Sequence, residues 1–325
     1  MAMAAIEVTG LTKRFKEVEA VKGVDLTVYE GEVFGFLGPN GAGKTTTISM
    51  LCTILKPDGG KGHVAGFDLW REKDKVRQNI GLVFQDPTLD RNLTAYENLW
   101  FHALIYNIPT RERRERIEMV LKMVELYERK DSLVQTFSGG MKRRLEIARG
   151  LLHHPKILFL DEPTIGLDPQ TRAHIWDYIH KIRKEKGITI FLTTHYMDEA
   201  ENCDRIAVID QGRIIALDTP QNLKKMVGNN IVYINSMEAS GIIIFIKEKF
   251  NLEAKLIKNQ VVVEVTDAET FIPQLLKELP YPVTSVSLKK PTLDDVFLKL
   301  TGRELRDEVI TNGKAPAFHR RRRWQ

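Results

Sequence analysis

The sequence lacks the long apolar run that a membrane-spanning helix requires. None of its 325 residues lies in an apolar stretch that approaches about 20 residues. The strongest candidate, residues 242–246, is followed closely by Lys247 and Lys249. Residues 1–7 contain no basic segment followed by an apolar core. We therefore expect neither a transmembrane helix nor a secretory signal.

Cysteine is also scarce. Cys52 and Cys203 are the only two, so the chain offers no spacing for a metal site and no disulfide framework. Free cysteines are usually buried and inert. We expect two reduced thiols in a cytosolic protein. The sequence also lacks a long internal repeat, so each motif described below occurs once.

A strong excess of one charge occurs only at the C-terminus. The formal net charge is +5, and residues 320–323 are four consecutive arginines followed by Trp324. Such a cluster can bind anionic lipid head groups or nucleic acid, or it can belong to a solvated terminus. We expect residues 303–325 to form a disordered basic tail, and we expect no nucleic-acid partner.

Residues 4–222 have the pattern of one α/β domain. The composition, 43% apolar and 28% charged, is ordinary for a globular protein. Short apolar runs alternate with helical patterns, and they predict strands at residues 33–37, 80–84, 157–160, 188–193 and 206–209. Between about residues 88 and 152, apolar residues recur at helical spacing, which predicts a helical insertion.

A second, smaller domain is predicted at residues 228–302. The patterns predict strands at 231–234, 252–257, 261–265 and 283–288, and helices at 238–250, 269–279 and 292–300. A hairpin across Lys258, Asn259 and Gln260 would join the second strand to the third. The order strand, helix, strand, strand, helix, strand predicts a ferredoxin-like α+β fold.

The turn after the strand at 33–37 carries a phosphate-binding pattern. Its residues, which fit the P-loop spacing, are Gly38, Pro39, Asn40, Gly41, Ala42, Gly43, Lys44 and Thr45. Glycines allow backbone N–H groups to surround a phosphate, and a helix predicted at residues 44–55 directs its positive end at the anion. We expect Lys44 to contact the β- and γ-phosphates, Thr45 to bind Mg²⁺, and Thr46 to belong to the nucleotide site.

The strand at residues 157–160 ends in two acids, Asp161 and Glu162. Charged residues at the carboxyl end of a buried strand lie where α/β proteins bind ligands; a solvated strand end is the alternative. Beside a P-loop, Asp161 would hold Mg²⁺ and Glu162 would polarise the attacking water. Together the two motifs predict a P-loop nucleotidase, a class that includes GTPases, kinases, helicases and motors.

A second pattern suited to binding an anion lies within the predicted helical insertion. Ser138, Gly139 and Gly140 precede a helix predicted at residues 142–152. Serine is a good N-cap, and two glycines expose backbone amides at the positive end of the helix. One P-loop domain does not need a second phosphate site for its own nucleotide, so we interpret this loop as a contact with the nucleotide of another copy. An ordinary capped helix is the alternative.

The order of these motifs resembles that of the ABC ATPase family. The matching positions are the P-loop, Gln85, Ser138-Gly139-Gly140, Leu160-Asp161-Glu162-Pro163-Thr164, Gly166-Leu167-Asp168 and His195. The resemblance covers about residues 4–222 and implies a P-loop NTPase with a RecA-like mixed sheet. Met141 stands where the family usually has glutamine, and Phe15 where it usually has the adenine-stacking tyrosine. Either aromatic ring can stack on a purine.

The resemblance implies roles within one copy. Phe15 would stack on the adenine of ATP, and Gln85 would contact Mg²⁺ or the attacking water. His195 would contact the γ-phosphate and keep the water aligned with Glu162, the catalytic base. The implied substrate and cofactor are therefore ATP and Mg²⁺.

The resemblance also implies that two copies share each ATP. Ser138, Gly139 and Gly140 of one copy would close over the γ-phosphate held by the other, and Asp168 would join the two subunits. ATP would hold this homodimer together, and hydrolysis would release it, which moves attached parts. Because we predict no span, those parts would be separate polytopic permease subunits contacted near Gln85. The chain would lie peripherally on the cytoplasmic face of the cell membrane.

A narrower resemblance is to the daunorubicin-resistance branch of drug exporters. It rests on residues 138–149, Ser-Gly-Gly-Met-Lys-Arg-Arg-Leu-Glu-Ile-Ala-Arg, and on residues 291–298, Pro-Thr-Leu-Asp-Asp-Val-Phe-Leu, with Thr-Gly-Arg at 301–303. It implies an ATPase that powers export of a hydrophobic compound such as a drug, an antibiotic or a lipid. On the residues alone, 291–298 predict only an amphipathic helix and its cap.

Three other functions stay open on the sequence. An importer ATPase would have the same ATP site. A soluble ABC protein that acts on ribosomes or DNA generally carries two ATPase units or a long coiled coil before Asp161, and this chain has neither pattern. A non-catalytic binding module would not need the intact set of Lys44, Asp161, Glu162 and His195.

Overall fold

The computed structural model describes residues 3–302, so the predicted basic tail at 303–325 lies outside the described residues. The strands are β1 (Ala4–Phe15), β2 (Val18–Tyr29), β3 (Val33–Leu37), β4 (Gly59–Val64), β5 (Phe67–Asp68), β6 (Ile80–Val83), β7 (Ile157–Asp161), β8 (Thr189–Thr194), β9 (Arg205–Asp210), β10 (Arg213–Asp218), β11 (Asn230–Asn235), β12 (Ala254–Ile257), β13 (Gln260–Val265) and β14 (Ser285–Lys289). The helices are α1 (Lys44–Leu51), α2 (Lys73–Asn79), α3 (Ala95–Ile105), α4 (Thr110–Met123), α5 (Gly139–Leu151), α6 (Pro169–Lys186), α7 (Met197–Ala200), α8 (Pro220–Val227), α9 (Ala239–Phe250), α10 (Ala268–Glu278) and α11 (Leu293–Thr301).

A six-stranded sheet positions the predicted site, with the order β10-β9-β3-β8-β7-β6. Its strands are parallel except β10, which pairs antiparallel with β9. Every residue of β3, β7 and β8 is buried, because apolar clusters cover both faces of the sheet. This arrangement confirms the predicted α/β fold with a mixed sheet, and it brings the carboxyl ends of β3, β7 and β8 together.

An antiparallel sheet with the order β2-β1-β4-β5 packs beside the central one. Its inward residues, such as Ile6 and Val28, share an apolar cluster with Phe34, Phe36 and Ile48. The pairing of β1 with β2 shifts register four times along its length. These irregularities interrupt the alternation of apolar and polar residues, and the sequence patterns above did not predict this sheet.

The insertion between β6 and β7 is helical, as predicted, and contains α3, α4 and α5. Helix α3 begins with a capping box in which Thr94 and Glu97 bond to each other's backbone N–H groups. Buried residues of α4 and α5, among them Leu121 and Leu145, join the apolar cluster on one face of the central sheet. Helix α5 therefore reaches from the insertion to the ends of β6 and β7.

The C-terminal strands form a separate antiparallel sheet with the order β12-β13-β11-β14. Helices α9 and α10 cover one face, where Val232, Ile246, Val263 and Leu275 are buried together. This order confirms the predicted ferredoxin-like arrangement. The predicted three-residue hairpin was wrong in its length: Gln260 already pairs with Ile257, and only Lys258 and Asn259 turn, both with positive φ.

Helix α1 is shorter than predicted. The sequence pattern extended it to residue 55, whereas it ends at Leu51. Thr53 has a φ of 59°, and the N–H groups of Ile54 and Leu55 both return to the carbonyl oxygen of Ser49. The left-handed residue ends the helix because a β-branched residue with positive φ cannot continue it.

The last helix, α11, packs against α8, which precedes the C-terminal sheet in the chain. Leu293, Val296 and Phe297 of α11 are buried in the apolar cluster that also holds Leu223 of α8. The ammonium of Lys299 donates to the carbonyl oxygen of Met226 at the end of α8, at 2.6 Å. The predicted amphipathic helix and its cap are present, but its apolar face packs outside the core formed by the C-terminal sheet.

Two expectations from the sequence, free cysteines and no transmembrane helix, concern residues that the structure describes. Cys52 and Cys203 are both buried and free. Within residues 3–302, no helix is both long enough and apolar enough to cross a membrane.

Candidate active site

The P-loop connects β3 to α1, and close packing requires two of its glycines, Gly38 and Gly43. Gly43 has a φ of 107°, and a Cβ atom there would lie 2.5 Å from the carbonyl oxygen of Ala20. A Cβ atom on Gly38 would lie 2.3 Å from the carbonyl oxygen of Ile209. The loop is therefore held against β2 and β9. The first N–H groups of α1 have no acceptor within the helix, which suits them to an anion.

Lys44 is buried in this loop, and only 5% of the residue is exposed. Its Nζ atom donates to the carbonyl oxygens of Gly38 at 2.8 Å and Pro39 at 3.2 Å. It also lies 3.1 Å from Oε1 of Glu162. The loop therefore fixes a cation directly beside the acidic end of β7.

Asp161 ends β7 among hydroxyl groups. Its Oδ1 atom accepts from Thr193 Oγ1 at 2.5 Å and lies 3.4 Å from Thr45 Oγ1. Burial raises the pKa of Asp161, and the hydrogen bonds from Thr193 and Thr45 offset part of that rise. These contacts hold one carboxylate oxygen and one hydroxyl side by side at the start of α1.

Glu162 has a backbone conformation that non-glycine residues seldom adopt, with a φ of 45°. Its N–H group donates to Thr193 Oγ1 at 3.0 Å. Its Oε2 atom lies 3.2 Å from Nδ1 of His195, in a contact too poorly aligned for a hydrogen bond. Burial alone would raise the pKa of Glu162, but the adjacent His195 and Lys44 lower it below its usual value.

The chemistry of these groups fits a nucleotide with Mg²⁺. Thr45 and Asp161 offer neighbouring hydroxyl and carboxylate oxygens, which are the ligand types that Mg²⁺ prefers. No cluster of three or more His, Cys, Asp or Glu side chains suited to a metal is found within residues 3–302. The ion would therefore need phosphate and water oxygens as further ligands. The buried Oε2 of Glu162 and Nδ1 of His195 face each other at 3.2 Å, and neither has a well-aligned hydrogen-bond partner among the described residues.

Gln85 lies beside this cluster at the end of the neighbouring strand. Val83 pairs with Leu160 in the parallel β6–β7 ladder, so Gln85 and Glu162 both follow by two residues. The side chain of Gln85 is exposed, and the main-chain carbonyl oxygen of Gln85 accepts from Arg143 at 3.3 Å. The fold thus brings Gln85 to the same edge of the sheet as Asp161 and Glu162.

A second cluster lies at the starts of α5 and α6. Ser138 caps α5 by accepting from the N–H group of Met141 at 3.3 Å, and Asp168 caps α6 by accepting from the N–H group of Thr171 at 3.0 Å. A Cβ atom on Gly140 would lie 2.5 Å from Cγ2 of Thr171. The two helix starts are therefore packed together, and Ser138, Gly139 and Asp168 are exposed.

Comparison with known proteins connects this geometry to a family. The family described as "ABC transporter" matches residues 21–165, and the family described as "ATP-binding protein DrrA1-3-like, C-terminal domain" matches residues 219–301. A daunorubicin resistance ATP-binding protein, DrrA2 of Streptomyces coeruleorubidus, is 39% identical over 307 residues, which cover 92% of this chain and 95% of the relative. The chain belongs to the ABC transporter family of ATP-binding proteins.

Two further relatives show the breadth of the match. A Nod factor export ATP-binding protein I of Ralstonia nicotianae is 37% identical and covers 93% of this chain and 95% of the relative. A solved structure described as the dimeric structure of MJ0796, a bacterial ABC transporter cassette, is 32% identical, with a TM-score of 0.60. It covers 66% of this chain and 98% of its own. This ABC protein is accordingly a nucleotide-binding ATP hydrolase.

Phe15, the residue predicted to stack on adenine, belongs to the antiparallel sheet and not to the central one. It ends β1, and 46% of it is exposed. The ammonium of Lys13 lies 5.7 Å from the centre of its ring. The ring is thus accessible for stacking at the end of a strand next to the P-loop's sheet.

The sequence reading of this ABC ATPase missed several residues that hold the site together. Thr193 bonds both Asp161 and Glu162, and the buried carboxylate of Glu199 accepts from Thr164 and from Thr194, the latter at 2.8 Å. Burial raises the pKa of Glu199, which those two hydroxyl groups offset in part. The available signal was the pair of threonines that ends an otherwise apolar strand.

Proposed function

We propose that this ABC ATPase binds ATP with Mg²⁺ and hydrolyses it to power export of a hydrophobic compound through separate transmembrane subunits. The observation that carries the proposal is the contact of Glu162 with both Lys44 and His195, next to the Thr45–Asp161 pair. A carboxylate kept ionised beside the phosphate loop is the group that in-line attack by water requires.

Each residue of the site has one role in this proposal. The P-loop amides and Lys44 bind the phosphates, and Glu162 accepts a proton from the attacking water. His195 and Gln85 orient that water and the γ-phosphate from either side of Glu162. A bound Mg²⁺ ion, held through Thr45 and Asp161, would neutralise charge on the phosphate oxygens. Phe15 stacks on the adenine.

Two copies are proposed to enclose each ATP. The exposed Ser138 and Gly139 lie at the positive end of α5, where backbone N–H groups favour an anion. They are anchored through Gly140 to α6, whose first residue follows the exposed Asp168. The similar bacterial cassette with a dimeric structure supports this arrangement. Each site is then completed by the α5 start of the facing copy.

The permease subunits are proposed to dock near Gln85. Phe84 is exposed there, and α3 presents Phe101 and Ile105, both exposed for more than half of their surface. Exposed apolar side chains one turn apart on a helix, as Phe101 and Ile105 are, can form the apolar part of a protein interface. The absence of a membrane-crossing helix within residues 3–302 is compatible with separate permeases and with a place on the cytoplasmic face of the membrane.

The C-terminal sheet is proposed to form a small unit of its own. Residues 4–222 would form the ATPase domain, with a helical subdomain at about 88–152, and residues 228–302 the second domain. A separate apolar core between the sheet and helices α9 and α10 supports this division. Helix α11 links the two because it packs on α8.

The test uses Glu162→Gln protein, purified from detergent-solubilised membranes with ATP and Mg²⁺ and analysed by mass spectrometry. We expect at least a tenfold loss of ATPase turnover, because the glutamine amide cannot accept the proton, together with a stoichiometric multi-span protein. The wild-type protein, treated in the same way, is the control. Normal turnover in the variant, or recovery of ribosomal or DNA-bound proteins instead, would contradict the proposal. Recovery of the partner together with a component for uptake of a compound would contradict the proposed direction of transport.

A further inference from the structure

Arg143 lies on α5 one turn beyond the Ser138 cap, and its guanidinium is buried. Nη1 donates to the carbonyl oxygen of Phe84 at 2.6 Å, and Nη2 donates to the carbonyl oxygens of Gln85 at 3.3 Å and Glu162 at 3.1 Å. Arginine has five N–H donors in a rigid plane, so one side chain can span three separate carbonyl groups.

The three carbonyl groups belong to the residues that carry the chemistry or precede them. Gln85 and Glu162 lie at the ends of neighbouring strands, β6 and β7, and neither backbone carbonyl at these positions is part of the β6–β7 ladder. Past the last paired residues, Val83 and Leu160, the sheet no longer fixes the separation of the two chains. Arg143 supplies the missing connection at the point where both side chains depart from the sheet.

Glu146 holds the guanidinium in place. Its Oε2 atom lies 3.2 Å from Nη1 of Arg143, and its Oε1 atom accepts from the N–H group of Thr88 at 2.8 Å. Arg149, on the same helix, donates to the carbonyl oxygen of Thr88 at 3.1 Å. Helix α5 therefore bonds the backbone of residues 84–88 at four positions, and it is the same helix whose first residues follow Ser138.

A buried ion pair by itself is a weak argument for function, because apolar replacements often fold equally well. The geometry here is more specific than the pair. Three of the four groups that Arg143 contacts are main-chain carbonyls at the site, and only the fourth is its charge partner. If folding alone required the pair, contacts to Glu146 would suffice.

We propose that Arg143 is a positioning residue that ties the loop of Gln85 and the backbone of Glu162 to α5, so that a displacement of the Ser138 loop moves both groups together. The inference rests on the proposed function, in which Gln85 and Glu162 act on the attacking water. It extends that function by assigning the link between the second cluster and the catalytic carboxylate.

The test compares Arg143→Met/Glu146→Gln with wild-type protein. The double variant leaves no unpaired buried charge, and the glutamine can still accept from the N–H group of Thr88. We expect turnover to fall about 10- to 100-fold, because small misplacements of reacting groups have effects of that size. The affinity for Mg-ATP, measured by fluorescence titration, should stay within about threefold, because no P-loop residue is changed. The single variant Arg143→Lys should also have a lower turnover than the wild type, since the lysine ammonium cannot span three carbonyl groups.

A matched control is the Arg205–Glu32 pair at the opposite side of the sheet. Arg205 lies 3.3 Å from Glu32 and also donates to a carbonyl oxygen, that of Thr27. Arg205→Met/Glu32→Gln makes the same chemical change without touching Gln85 or Glu162. We expect its turnover to remain within about twofold of wild type. Equal losses in the two double variants, or wild-type turnover in the Arg143 variant, would overturn the inference.

Hydrogen exchange separates failure of this inference from failure of the proposed function, because it needs no turnover. In Arg143→Met/Glu146→Gln, we expect faster exchange in peptides that contain residues 84–90 and unchanged exchange in peptides of β7. Unchanged exchange at 84–90 would contradict the positioning role whatever the activity of the protein. Wild-type turnover in Glu162→Gln would contradict the proposed function while the exchange result still decides the role of Arg143.

Discussion

At the scale of single residues, Asp161 and Glu162 are adjacent in the chain, but their surroundings shift their pKa values in opposite directions. Burial dominates at Asp161 and raises its pKa, whereas His195 and Lys44 outweigh burial at Glu162 and lower its pKa. Two neighbouring titratable groups with opposite shifts are typical of sites that divide binding and proton transfer between them. The lowered pKa keeps Glu162 ionised at neutral pH, which suits the role of base proposed for it.

A pair of half-buried histidines, His102 and His153, lies on the helical side of the molecule. The ring of His153 stacks on Tyr106 with centroids 3.8 Å apart, and a ring nitrogen lies 2.8 Å from the carbonyl oxygen of Ile80. Burial lowers the pKa of His153 to about 4 and that of His102 to about 3. Nothing in the proposed reaction uses either ring, so their effect is on stability.

We predict that His153 makes the protein less stable in acid. A histidine with an unfolded pKa near 6.5 and a folded pKa near 4 binds more protons when unfolded, so stability falls as the pH drops from about 6.5 towards 4. The expected loss between pH 8 and pH 5 is roughly 2 kcal/mol for this residue. His153→Phe keeps the stacked ring and removes the titration.

Urea unfolding of the wild type and His153→Phe at pH 8 and pH 5 checks this prediction. The variant loses the bond to Ile80, which lowers its stability equally at both pH values. Its loss of stability between pH 8 and pH 5 should be smaller than that of the wild type by about 1–2 kcal/mol. His63→Gln, on an exposed position of β4, should leave the pH dependence as in wild type. Equal pH dependence in wild type and His153→Phe would show that the ring titrates normally.

At the scale of elements, α11 behaves as part of the ATPase core. Phe297 is 1% exposed and shares a cluster with Leu223 of α8, whereas the next residue, Leu298, is 42% exposed. A capping box of Thr292 and Asp295 starts the helix, and Lys299 covers the last carbonyl groups of α8. The helix thus fastens the end of the described chain to the unit that binds ATP.

We predict that Phe297→Ala destabilises the ATPase unit by about 3–5 kcal/mol, because it leaves a large cavity in the shared cluster. Tryptophan fluorescence makes the measurement specific once Trp324 is replaced by phenylalanine in every protein compared: Trp70, Trp100 and Trp176 lie within residues 4–222, and residues 228–302 contain none. Their fluorescence during urea unfolding therefore reports on the ATPase unit.

Leu298→Ala, one residue away and exposed, is the matched control, with an expected change below about 1 kcal/mol. A midpoint for Phe297→Ala equal to that of the control would mean that α11 stabilises only the C-terminal sheet. The predicted boundary at residue 228 would then also divide the chain energetically.

The elements that the sequence predicted best are those in which local pattern and burial agree. The apolar run of β3, its Gly-rich turn and α1 are read directly, because every residue of β3 is buried and the turn needs its glycines. The strands β1 and β2 were missed because bulges break their alternation. The end of α1 was misplaced because Thr53 takes a left-handed conformation that its residue type does not announce.

The contacts that tertiary structure creates could not be predicted from the sequence. Arg143 reads as one more basic residue on an amphipathic helix, and Thr193 as part of a β-branched strand end. Their partners, Gln85 and Glu162, lie far away in the chain and become neighbours only when β6, β7 and α5 assemble. Sequence spacing reports periodicity within an element, and it carries no information on which element will face it.

At the scale of the whole molecule, the predicted site residues divide into two clusters on one chain. Lys44, Asp161, Glu162 and His195 form the first, and the starts of α5 and α6 form the second. Arg143 reaches from the second cluster to the first through the carbonyl oxygen of Glu162. If each ATP is enclosed by the first cluster of one copy and the second of another, the contact is reciprocal, as a two-fold dimer requires.

We predict that Ser138→Arg prevents this closure without preventing ATP binding. The test is made in Glu162→Gln protein, where slow hydrolysis preserves any dimer. With Mg-ATP, Glu162→Gln alone should double its molar mass in sedimentation or light scattering, whereas Glu162→Gln/Ser138→Arg should stay monomeric. Equilibrium dialysis at a protein concentration too low for the dimer to form should give both proteins an ATP affinity within about threefold of each other, because Ser138 is absent from the first cluster.

Two controls separate the added bulk and charge from other effects of the substitution. Ser138→Ala removes only the cap of α5, at a cost of about 1 kcal/mol, and should still permit a dimer, although a weaker one. Gln135→Arg adds the same side chain at an exposed position three residues earlier and should dimerise normally. An ATP-induced dimer in the Ser138→Arg protein would mean that α5 does not face the second nucleotide. The two clusters of one chain would then have to serve a single ATP, and the connection through Arg143 would be internal to one site.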